Sequence, residues 1–469
     1  MLDFFTFIPQ VHASSATEVV LSGATLSFKA LVSIVGLSLL FLILITEKVD
    51  KTLVSILVAG LLIFLQVFTQ GDVNGPSSQE IAGQYIYHNL DIFAFIIGMM
   101  ILSGFTKDSG IFNYLAIKIA KAVKGSPKKL FFIFSYMAFF LTVFISNIPT
   151  IIILAPIVTL ITKKLDLPSM PYILGIIIFA NLGGAVTPIS DPTTYYQATN
   201  LGFSFWDVFS NTGLIMFTVS LSSSLYLYLL FRKDFNLKPE LDEIKDIDPK
   251  HFLSDKKELI ISTSILFIVI LLVVFKEFIF NKTGIRFDNG SITLFGAFLA
   301  ILFLNRNVGN TLRSQVDYAT LFFFAGLFIV VGALEYNGVI EYLANKLIYV
   351  TDGSENLLLL MITMGSAILS VFIDNVPYNI AMVSTLHQFL DSGAVAGGAW
   401  MALAWGLNSC TSIGGAGSPI GAACNVIALG QAEKNGVIIR FLKYLVIGVP
   451  LVFINSFIAF LILYFRYLF

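Results

Sequence analysis

Long apolar stretches recur along the whole chain and limit the architectures that it can adopt. A helix that crosses the hydrocarbon core of a bilayer needs about 20 mostly apolar residues. Eight stretches approach this length: Ala30–Ile45, Thr52–Phe68, Ile92–Phe105, Thr212–Phe231, Leu259–Phe275, Ile292–Leu304, Thr320–Leu334 and Tyr444–Tyr464. Two further spans run into glycine-rich breaks, Met170–Ala180 and Ala399–Leu407. The pattern predicts an all-α polytopic membrane protein.

The composition is typical of a protein whose surface mostly faces lipid. Of 469 residues, 57% are hydrophobic and only 12% are Asp, Glu, Lys or Arg, which is about half the charged fraction of a soluble protein. The net charge of −1 provides no basic surface for nucleic acid. The sequence contains no phosphate-binding loop, nucleophile elbow or zinc-binding helix motif. We therefore expect neither an enzyme nor a resident cofactor.

One segment, residues 232–258, concentrates charge and divides the chain. It holds 7 basic and 8 acidic residues in 27 and too few apolar residues to form a core, which is typical of a linker. Lys and Arg are absent from residues 1–28, 52–106 and 165–231, and basic residues favour the cytoplasmic side of a membrane. We expect a protein of the bacterial plasma membrane with its N-terminus outside. Its predicted parts are an extracytoplasmic tail (1–29), a first membrane repeat (30–231), a cytoplasmic linker (232–258) and a second membrane repeat (259–469).

The two membrane segments share a pattern of glycine, asparagine and proline. At a constant offset of 228 residues, three glycines and one Asn-x-Pro segment find a match: Gly98, Gly104, Gly110 and Phe144–Pro149 correspond to Gly326, Gly332, Gly338 and Phe372–Pro377. At an offset of 231, Leu182–Ile189 corresponds to Ile413–Ile420. Chance matches between apolar sequences would not preserve spaced glycines and prolines without gaps. The sequence therefore predicts an internal repeat with four repeated motif segments.

The two repeats are predicted to have opposite orientations, because the first begins outside and the second follows a cytoplasmic linker. This is the inverted-repeat plan of secondary transporters. In each repeat an Asn-x-Pro motif interrupts a long apolar stretch, and we expect a re-entrant hairpin with Asn147 or Asn375 at its tip. One proline-kinked helix per repeat is the alternative. The predicted fold class is an all-α, inverted-topology repeat of about ten transmembrane helices with two re-entrant hairpins and broken helices.

Two carboxylates lie inside the motif segments, and both are candidates for an ion-binding site. A charge at the bilayer centre costs a few kcal/mol or more, so Asp191 and Asp374 should face a cavity or a partner. For Asp191, the alternative is a helix cap at the membrane interface. The neutral candidates offer oxygens of the kind that hard cations prefer: Asn147, Asn181, Gly183, Gly184, Thr187, Thr193, Thr194, Asn375, Gly414, Gly415, Ser418 and Asn425.

No Lys or Arg occurs within the four motif segments. An anion would then depend on helix N-termini and amides alone, so the sequence favours a cation or a proton as the transported species. A Na⁺ ion is expected to bind through Asp191, Asp374, Asn147 and Asn375. Three residues are weaker candidates, as a proton relay or as ligands of a thiophilic substrate, and are better interpreted as packed core residues: His387, Cys410 and Cys424.

At these motifs the sequence resembles the ion transporter superfamily that includes arsenite permeases, NhaD-type sodium/proton antiporters, the melanosomal P protein and citrate or dicarboxylate carriers. Asn181–Thr194, with its Asp-x-Thr-Thr ending, and Asp374–Pro377 are similar to the NhaD-type motifs. Ser418–Asn425 and the following Ala432–Gly436 are more similar to the arsenite-permease and P-protein branch. The resemblance implies a secondary transporter, and it also implies a homodimer.

The resemblance extends from about Ala30 to Leu463, with one departure that concerns the site. NhaD-type antiporters carry an Asp-Asn pair in the first repeat as well, whereas this chain has Ser146 before Asn147. The chain therefore lacks one of the carboxylates that the resemblance implies.

The predicted function is secondary active transport by alternating access, with Na⁺ or Li⁺ exchanged for protons at Asp191 and Asp374 in turn. Burial disfavours the charged form of a carboxyl group, which suits such an exchange. An ion-coupled carrier of arsenite, citrate or another small anion is the first alternative, and an ion channel is the alternative of another class. The expected partners are the lipid bilayer and a small ion or small anion, with H⁺, Na⁺ or both as coupling ions.

Overall fold

Helices make up all the regular secondary structure of the computed structural model within the residues it describes, which are 27–46, 49–69, 75–123, 125–237, 248–395 and 397–469. The first half contains α1 (Phe28–Thr46), α2 (Lys51–Phe64), α3 (Ser78–His88), α4 (Leu90–Asp108), α5 (Ile111–Ala122), α6 (Pro127–Phe144), α7 (Asn147–Lys164), α8 (Met170–Gly184), α9 (Pro192–Asn200) and α10 (Phe205–Leu230). The second contains α11 (Lys256–Thr283), α12 (Asn289–Phe303), α13 (Val308–Gln315), α14 (Tyr318–Tyr336), α15 (Val339–Val350), α16 (Glu355–Phe372), α17 (Asn375–Asp391), α18 (Gly397–Gly415), α19 (Ala423–Lys434) and α20 (Phe441–Tyr467). The all-helical prediction is confirmed, whereas most of the predicted N-terminal tail lies outside the described residues.

The helices α4, α5 and α6 have counterparts in the second half that begin and end at equivalent positions. The boundaries of α4, α5 and α6 recur 228 residues later in α14, α15 and α16. Gly110 and Gly338 precede α5 and α15 with φ angles of 73° and 72°, a left-handed conformation that glycine adopts without steric cost. With the later offset of 231, α8 and α18 end at Gly184 and Gly415. The sequence repeat is therefore a repeat of secondary structure.

Eight of the described helices are long and apolar enough to cross a membrane, by length and composition: α4, α6, α7, α10, α11, α14, α16 and α20. Shorter apolar helices occur at α1, α2, α8 and α12. The outer surface of this helical body is apolar, as on α11, where the exposed fractions of Phe267 and Ile268 are 60% and 53%. A surface of this kind is suited to lipid.

Each half packs against the other through the same pairs of helices. The second helix of each half crosses over, so that α2 packs against α14 and α12 packs against α4. Nearer the middle of the protein, α7 packs against α19, and α17 packs against α9 in return. These reciprocal contacts bring the motif segments of both halves to one place.

Both described ends of the charged segment 232–258 are packed against helices. The ring centroid of buried Phe235 lies 4.8 Å from that of Phe131 on α6. At the other end, the Ser254 amide donates a hydrogen bond to the Ser109 carbonyl oxygen at 3.1 Å. The segment is therefore attached to the helical body at both ends.

Candidate functional site

Each Asn-x-Pro motif lies where one helix ends and another begins. α7 begins at Asn147 and α17 begins at Asn375, and each is separated from the preceding helix by two residues. Ile145 and Ile373, in the two breaks, have extended backbone conformations. Two consecutive non-helical residues separate the helices, so each motif joins two helices and does not kink a continuous one. This arrangement is the one that the hairpin prediction requires.

Four helices begin at one small cavity between the two halves. Its lining includes the first residues of α7, α9, α17 and α19, namely Asn147, Pro192, Asn375 and Ala423. Helix N-termini carry unpaired N–H groups and a partial positive charge. The cavity volume is about 50 Å³, which is room for a few water molecules. The structure thus brings both halves together around a space of the size of a small ion with part of its hydration shell.

Asp191 lines this cavity and is 3% exposed. Its Oδ1 atom accepts hydrogen bonds from the amide and the hydroxyl of Thr193, at 3.0 and 2.8 Å. Its Oδ2 atom accepts one from Asn147 Nδ2 at 3.0 Å. Asp191 therefore caps α9, as the alternative interpretation proposed, but it does so inside the cavity. All three hydrogen bonds come from neutral donors, which orient the carboxylate without neutralising it.

Asp374 lines the same cavity and has a charged partner. Its Oδ1 atom accepts a hydrogen bond from the Val376 amide at 3.1 Å, which caps α17. Its Oδ2 atom lies 3.4 Å from Nζ of Lys51, the first residue of α2. Lys51 was not among the predicted site residues, and its presence removes the argument that an anion would find no basic side chain here.

The charges of the cavity do not balance. Lys51 is the only basic side chain among the described residues that line it, against the carboxylates of Asp191 and Asp374. A buried charge without a partner is strongly destabilising. The cavity therefore requires one more positive charge, from a proton, a cation or the helix N-termini.

The predicted asparagines divide into two groups. Asn147 and Asn375 line the cavity, whereas Asn181 and Asn425 connect the halves beside it. Asn181 Nδ2 donates a hydrogen bond to Asn425 Oδ1 at 2.8 Å. Asn425 Nδ2 in turn donates to the carbonyl oxygens of Gly415 and Ser418, at 2.7 and 2.8 Å. Their amides are used within the protein, so this second pair holds the site together.

Two hydroxyl residues that were predicted as ion ligands, Thr187 and Ser418, connect the loops after α8 and α18 to the helices that precede the Asn-x-Pro breaks. Thr187 Oγ1 donates a hydrogen bond to the Val143 carbonyl oxygen, at 2.6 Å, in the last turn of α6. Ser418 Oγ donates to the Val371 carbonyl oxygen at the equivalent place in α16. Both contacts recur at the repeat offsets, which indicates a shared structural role.

Thr194 and two of the three weaker candidates, Cys410 and His387, lie outside the cavity lining. Thr194 Oγ1 donates to Asn408 Oδ1 at 3.0 Å and so connects α9 with α18. Cys424 lines the cavity, whereas Cys410 is fully buried outside that lining. His387 is partly buried on α17, also outside the lining.

The motif glycines allow close helix packing. A Cβ atom on Gly183 would lie 2.4 Å from the Phe139 carbonyl oxygen, and one on Gly414 would lie 2.3 Å from the Ala367 carbonyl oxygen. These two contacts are related by the repeat and hold α8 against α6 and α18 against α16. Gly184 instead leaves room for the Asp191 carboxylate, since a Cβ atom at this position would lie 3.2 Å from Asp191 Oδ2.

We expect Gly183→Ala or Gly414→Ala to lower the free energy of unfolding by about 1–3 kcal/mol, because the added methyl group would overlap a backbone oxygen. Thermal unfolding in detergent measures this change. Gly365→Ala in α16 is the matched control, since nothing lies within 4 Å of a Cβ at that position. The control should raise stability slightly, because alanine favours a helix more than glycine does. Equal effects at Gly183 and Gly365 would contradict the packing role.

Exposure differs between repeat-equivalent places beside the cavity, and we infer from it that the cavity opens on the side of Lys51. Lys51 and Thr320 are partly exposed, whereas Ile92, the counterpart of Thr320 at the offset of 228, is 1% exposed. Next to Ile92, Asp91 Oδ2 accepts a hydrogen bond from the Tyr195 hydroxyl, and the Tyr195 ring stacks on Phe95 with centroids 3.7 Å apart.

The fold and site define a class of protein. Repeated broken helices that meet at a polar cavity inside a polytopic membrane protein are the architecture of a membrane transporter. The family described as "Citrate transporter" (CitMHS) matches residues 41–408, and this chain belongs to it. The family lies in the ion transporter superfamily, so the resemblance of the motifs is confirmed.

Relatives from bacteria and mammals cover most of the chain. The "46 kDa membrane protein" of Mycobacterium leprae is 29% identical over 433 residues, which cover 91% of this chain and 96% of that protein. An "uncharacterized transporter" of Mycobacterium tuberculosis is 28% identical over 436 residues, with the same coverages of 91% and 96%. The P protein of Mus musculus is 24% identical over 507 residues, which cover 92% of this chain and 60% of that protein.

One solved structure has a similar fold. The Alcanivorax borkumensis YdaH transporter matches with a TM-score of 0.52 and 13% sequence identity, over 94% of this chain and 99% of that one. At this identity the comparison concerns the fold alone.

Proposed function

We propose that this protein exchanges Na⁺ or Li⁺ for protons across the membrane by secondary active transport. The observation that carries the proposal is the unbalanced charge of the cavity, where Asp191 and Asp374 face the single ammonium group of Lys51. Because a buried unpaired carboxylate is costly and helix N-termini supply only partial positive charge, a proton or a small cation completes the charge balance at Asp191. Exchange of a cation for a proton requires a group that either of them can neutralise.

The exchange follows from competition at one carboxylate. When Asp191 is protonated it needs no cation, and when it is ionised it attracts one. Carboxylate, amide and backbone oxygens around the cavity are ligands of the type that Na⁺ and other hard cations prefer. Asn147 and Thr193 hold the carboxylate in place by hydrogen bonds. Each transported cation therefore releases a proton, and each proton releases a cation.

The same proposal includes the orientation and assembly of the protein. We place it in a bacterial plasma membrane, with its N-terminus outside and segment 232–258 in the cytoplasm, because Lys and Arg are absent from the predicted outer segments. The two halves would then be inverted repeats that open the cavity to either side in turn. A homodimer follows only from the family resemblance.

A cation-coupled carrier of a small anion is the second candidate, and two features favour it. Lys51 supplies a basic group at the cavity. α19 begins there at Ala423 without a side-chain cap, and a free helix N-terminus attracts anions. The family description, citrate transporter, agrees with an anionic substrate. In this case Asp191 would bind only the coupling ion.

Proteoliposomes containing the purified protein and a pH-sensitive dye test the proposal. The interior of the liposomes is first acidified. We expect Na⁺ or Li⁺ added outside to drive proton efflux, and K⁺ to be less effective. Protein-free liposomes are the control. If no cation evokes flux from folded protein, the exchange proposal is wrong. Citrate and arsenite would then be added, since an anion that binds the folded state raises its melting temperature.

A further inference from the structure

We propose that Lys51 is the fixed counter-ion of Asp374, so that the two cavity carboxylates have different roles. Asp374 stays paired within the protein, and Asp191 alone exchanges a proton for a cation. This inference rests on the proposed exchange function and refines it, because the motifs alone predicted that both carboxylates take the ion in turn. Lys51 acts through Asp374 and is therefore a positioning residue.

Both oxygens of Asp374 already have partners. The Val376 amide donates to Oδ1 at 3.1 Å, and Lys51 Nζ lies 3.4 Å from Oδ2. The Lys51 ammonium group also lies 5.0 Å from the centroid of the Phe323 ring, within the range of a cation–π contact. The exposed fractions of the Lys51 and Asp374 side chains are 34% and 13%. The pair is thus shielded from solvent mainly on the carboxylate side, where a charge partner matters most.

The position of Lys51 in its helix argues for a specific role. It is the first residue of α2, directly after the N-cap Asp50. The N-terminus of a helix carries a partial positive charge, so a cation is disfavoured there. A lysine at this place is favoured by nearby anions, and two carboxylates supply them: the N-cap Asp50 beside it in the chain and Asp374, which is the one that lines the cavity.

The other repeat offers an internal comparison. The residue equivalent to Asp374, at the offset of 228, is Ser146, and the first residue of α12, the counterpart of α2, is Asn289. The charged pair spans the two halves, with Lys51 on the crossing helix of the first repeat and Asp374 at the break of the second, whereas the reciprocal positions, Asn289 and Ser146, carry neither charge. The two charges occur together or not at all, as expected of a fixed pair.

Asp191 has the opposite character. It receives hydrogen bonds from Asn147 and Thr193 only, both neutral. Its counterpart at the offset of 231 is Ala422, so the second repeat supplies no equivalent carboxylate. Among the cavity residues that the structure describes, Asp191 is the carboxylate left for an exchangeable ion.

Paired charge removal tests this division of roles in the flux assay. Asp374→Asn leaves the Lys51 ammonium group unpaired beside the cation site, and we expect cation-evoked flux to fall at least about tenfold. Lys51→Gln/Asp374→Asn removes both charges, and we expect it to recover most of that loss. Asp191→Asn should stay inactive with or without Lys51→Gln. A double variant no more active than Asp374→Asn would overturn the proposal, as would recovery of Asp191→Asn by Lys51→Gln.

The half-saturating Na⁺ concentration distinguishes a charge effect from misfolding. Lys51→Gln leaves Asp374 open to a cation, so this concentration should fall, whereas Lys51→Arg should stay closer to the wild type than Lys51→Gln. A shift in the opposite direction would contradict the counter-ion role. If the wild-type protein shows no cation-evoked flux, the exchange function fails. A double-mutant cycle of thermal stability would then still decide whether Lys51 and Asp374 are coupled.

Discussion

Asp191→Asn is expected to abolish cation-evoked proton flux, with a loss of at least about a hundredfold. The amide can neither bind a proton nor attract a cation, so exchange loses its only unpaired carboxylate. Asparagine caps a helix about as well as aspartate, so the start of α9 and the hydrogen bond from Thr193 are retained. The measurement is the initial rate of dye response on Na⁺ or Li⁺ addition to proteoliposomes.

Asp255→Asn is the matched control for this variant. Asp255 caps α11 by accepting a hydrogen bond from the Lys256 amide at 2.9 Å, and it lies outside the cavity lining. Both substitutions thus exchange one capping carboxylate for an amide, but only one removes a charge from the cavity. We expect the control to keep its flux, and Asp191→Asn to be at least as stable as the wild type because a costly buried charge is gone. Full activity in Asp191→Asn would contradict the role of this carboxylate.

The repeat and its breaks could be predicted from the sequence because their signals are local. Asn-x-Pro marks the start of α7 and α17, where proline in the first helical turn loses no backbone hydrogen bond. The double glycines end α8 and α18 in the same way in both halves. The sequence offset between these residues equals the offset between the helix boundaries. The correspondence of α4 with α14 could therefore be predicted without the three-dimensional structure.

The role of Lys51 could not be predicted, because it depends on a contact across 323 positions of the chain. Next to an apolar stretch, the lysine indicates only the end of a membrane segment. The crossing of α2 onto α14 brings it to Asp374. The repeat comparison gave no signal, because the sequence counterpart of Lys51 at the offset of 228 is Ile279, and Asn289 corresponds to it only through the helix starts that the structure shows.

The roles of the individual polar residues in the motifs could not be predicted from the sequence either. Asn181 and Asn147 both lie in motif segments and were both predicted as ion ligands, yet one amide joins the halves and the other donates to Asp191 in the cavity lining. Thr187 was predicted as an ion ligand, and its hydroxyl is used by the Val143 carbonyl oxygen. The residue type gives the chemistry that is available, and only the packing decides whether the protein or a ligand uses it.

A pair of introduced cysteines at repeat-equivalent positions is expected to differ strongly in reactivity toward a charged, membrane-impermeant thiol reagent. The background is Cys410→Ala/Cys424→Ser, which removes both native thiols. Thr320→Cys lies at the open side and should react quickly. Ile92→Cys is buried and should react only through the minor state that opens the other side. If that state is about 0.1–10% populated, Ile92→Cys reacts at least about tenfold more slowly than Thr320→Cys.

Tyr195→Phe provides the decisive comparison, because it removes the hydrogen bond to Asp91 and keeps the ring stacked on Phe95. A hydrogen bond to a charged group contributes about 1.5–3 kcal/mol, so the Ile92→Cys reaction should accelerate about tenfold or more. Under alternating access the two sides cannot be open together, so the Thr320→Cys reaction should not accelerate, and it should slow in proportion to the population that the other state gains. Equal acceleration at both positions would instead indicate a continuous pore, and with it a channel. Reciprocal changes would show that Tyr195 holds one of two exclusive states, each exposing Asp191 to one side of the membrane.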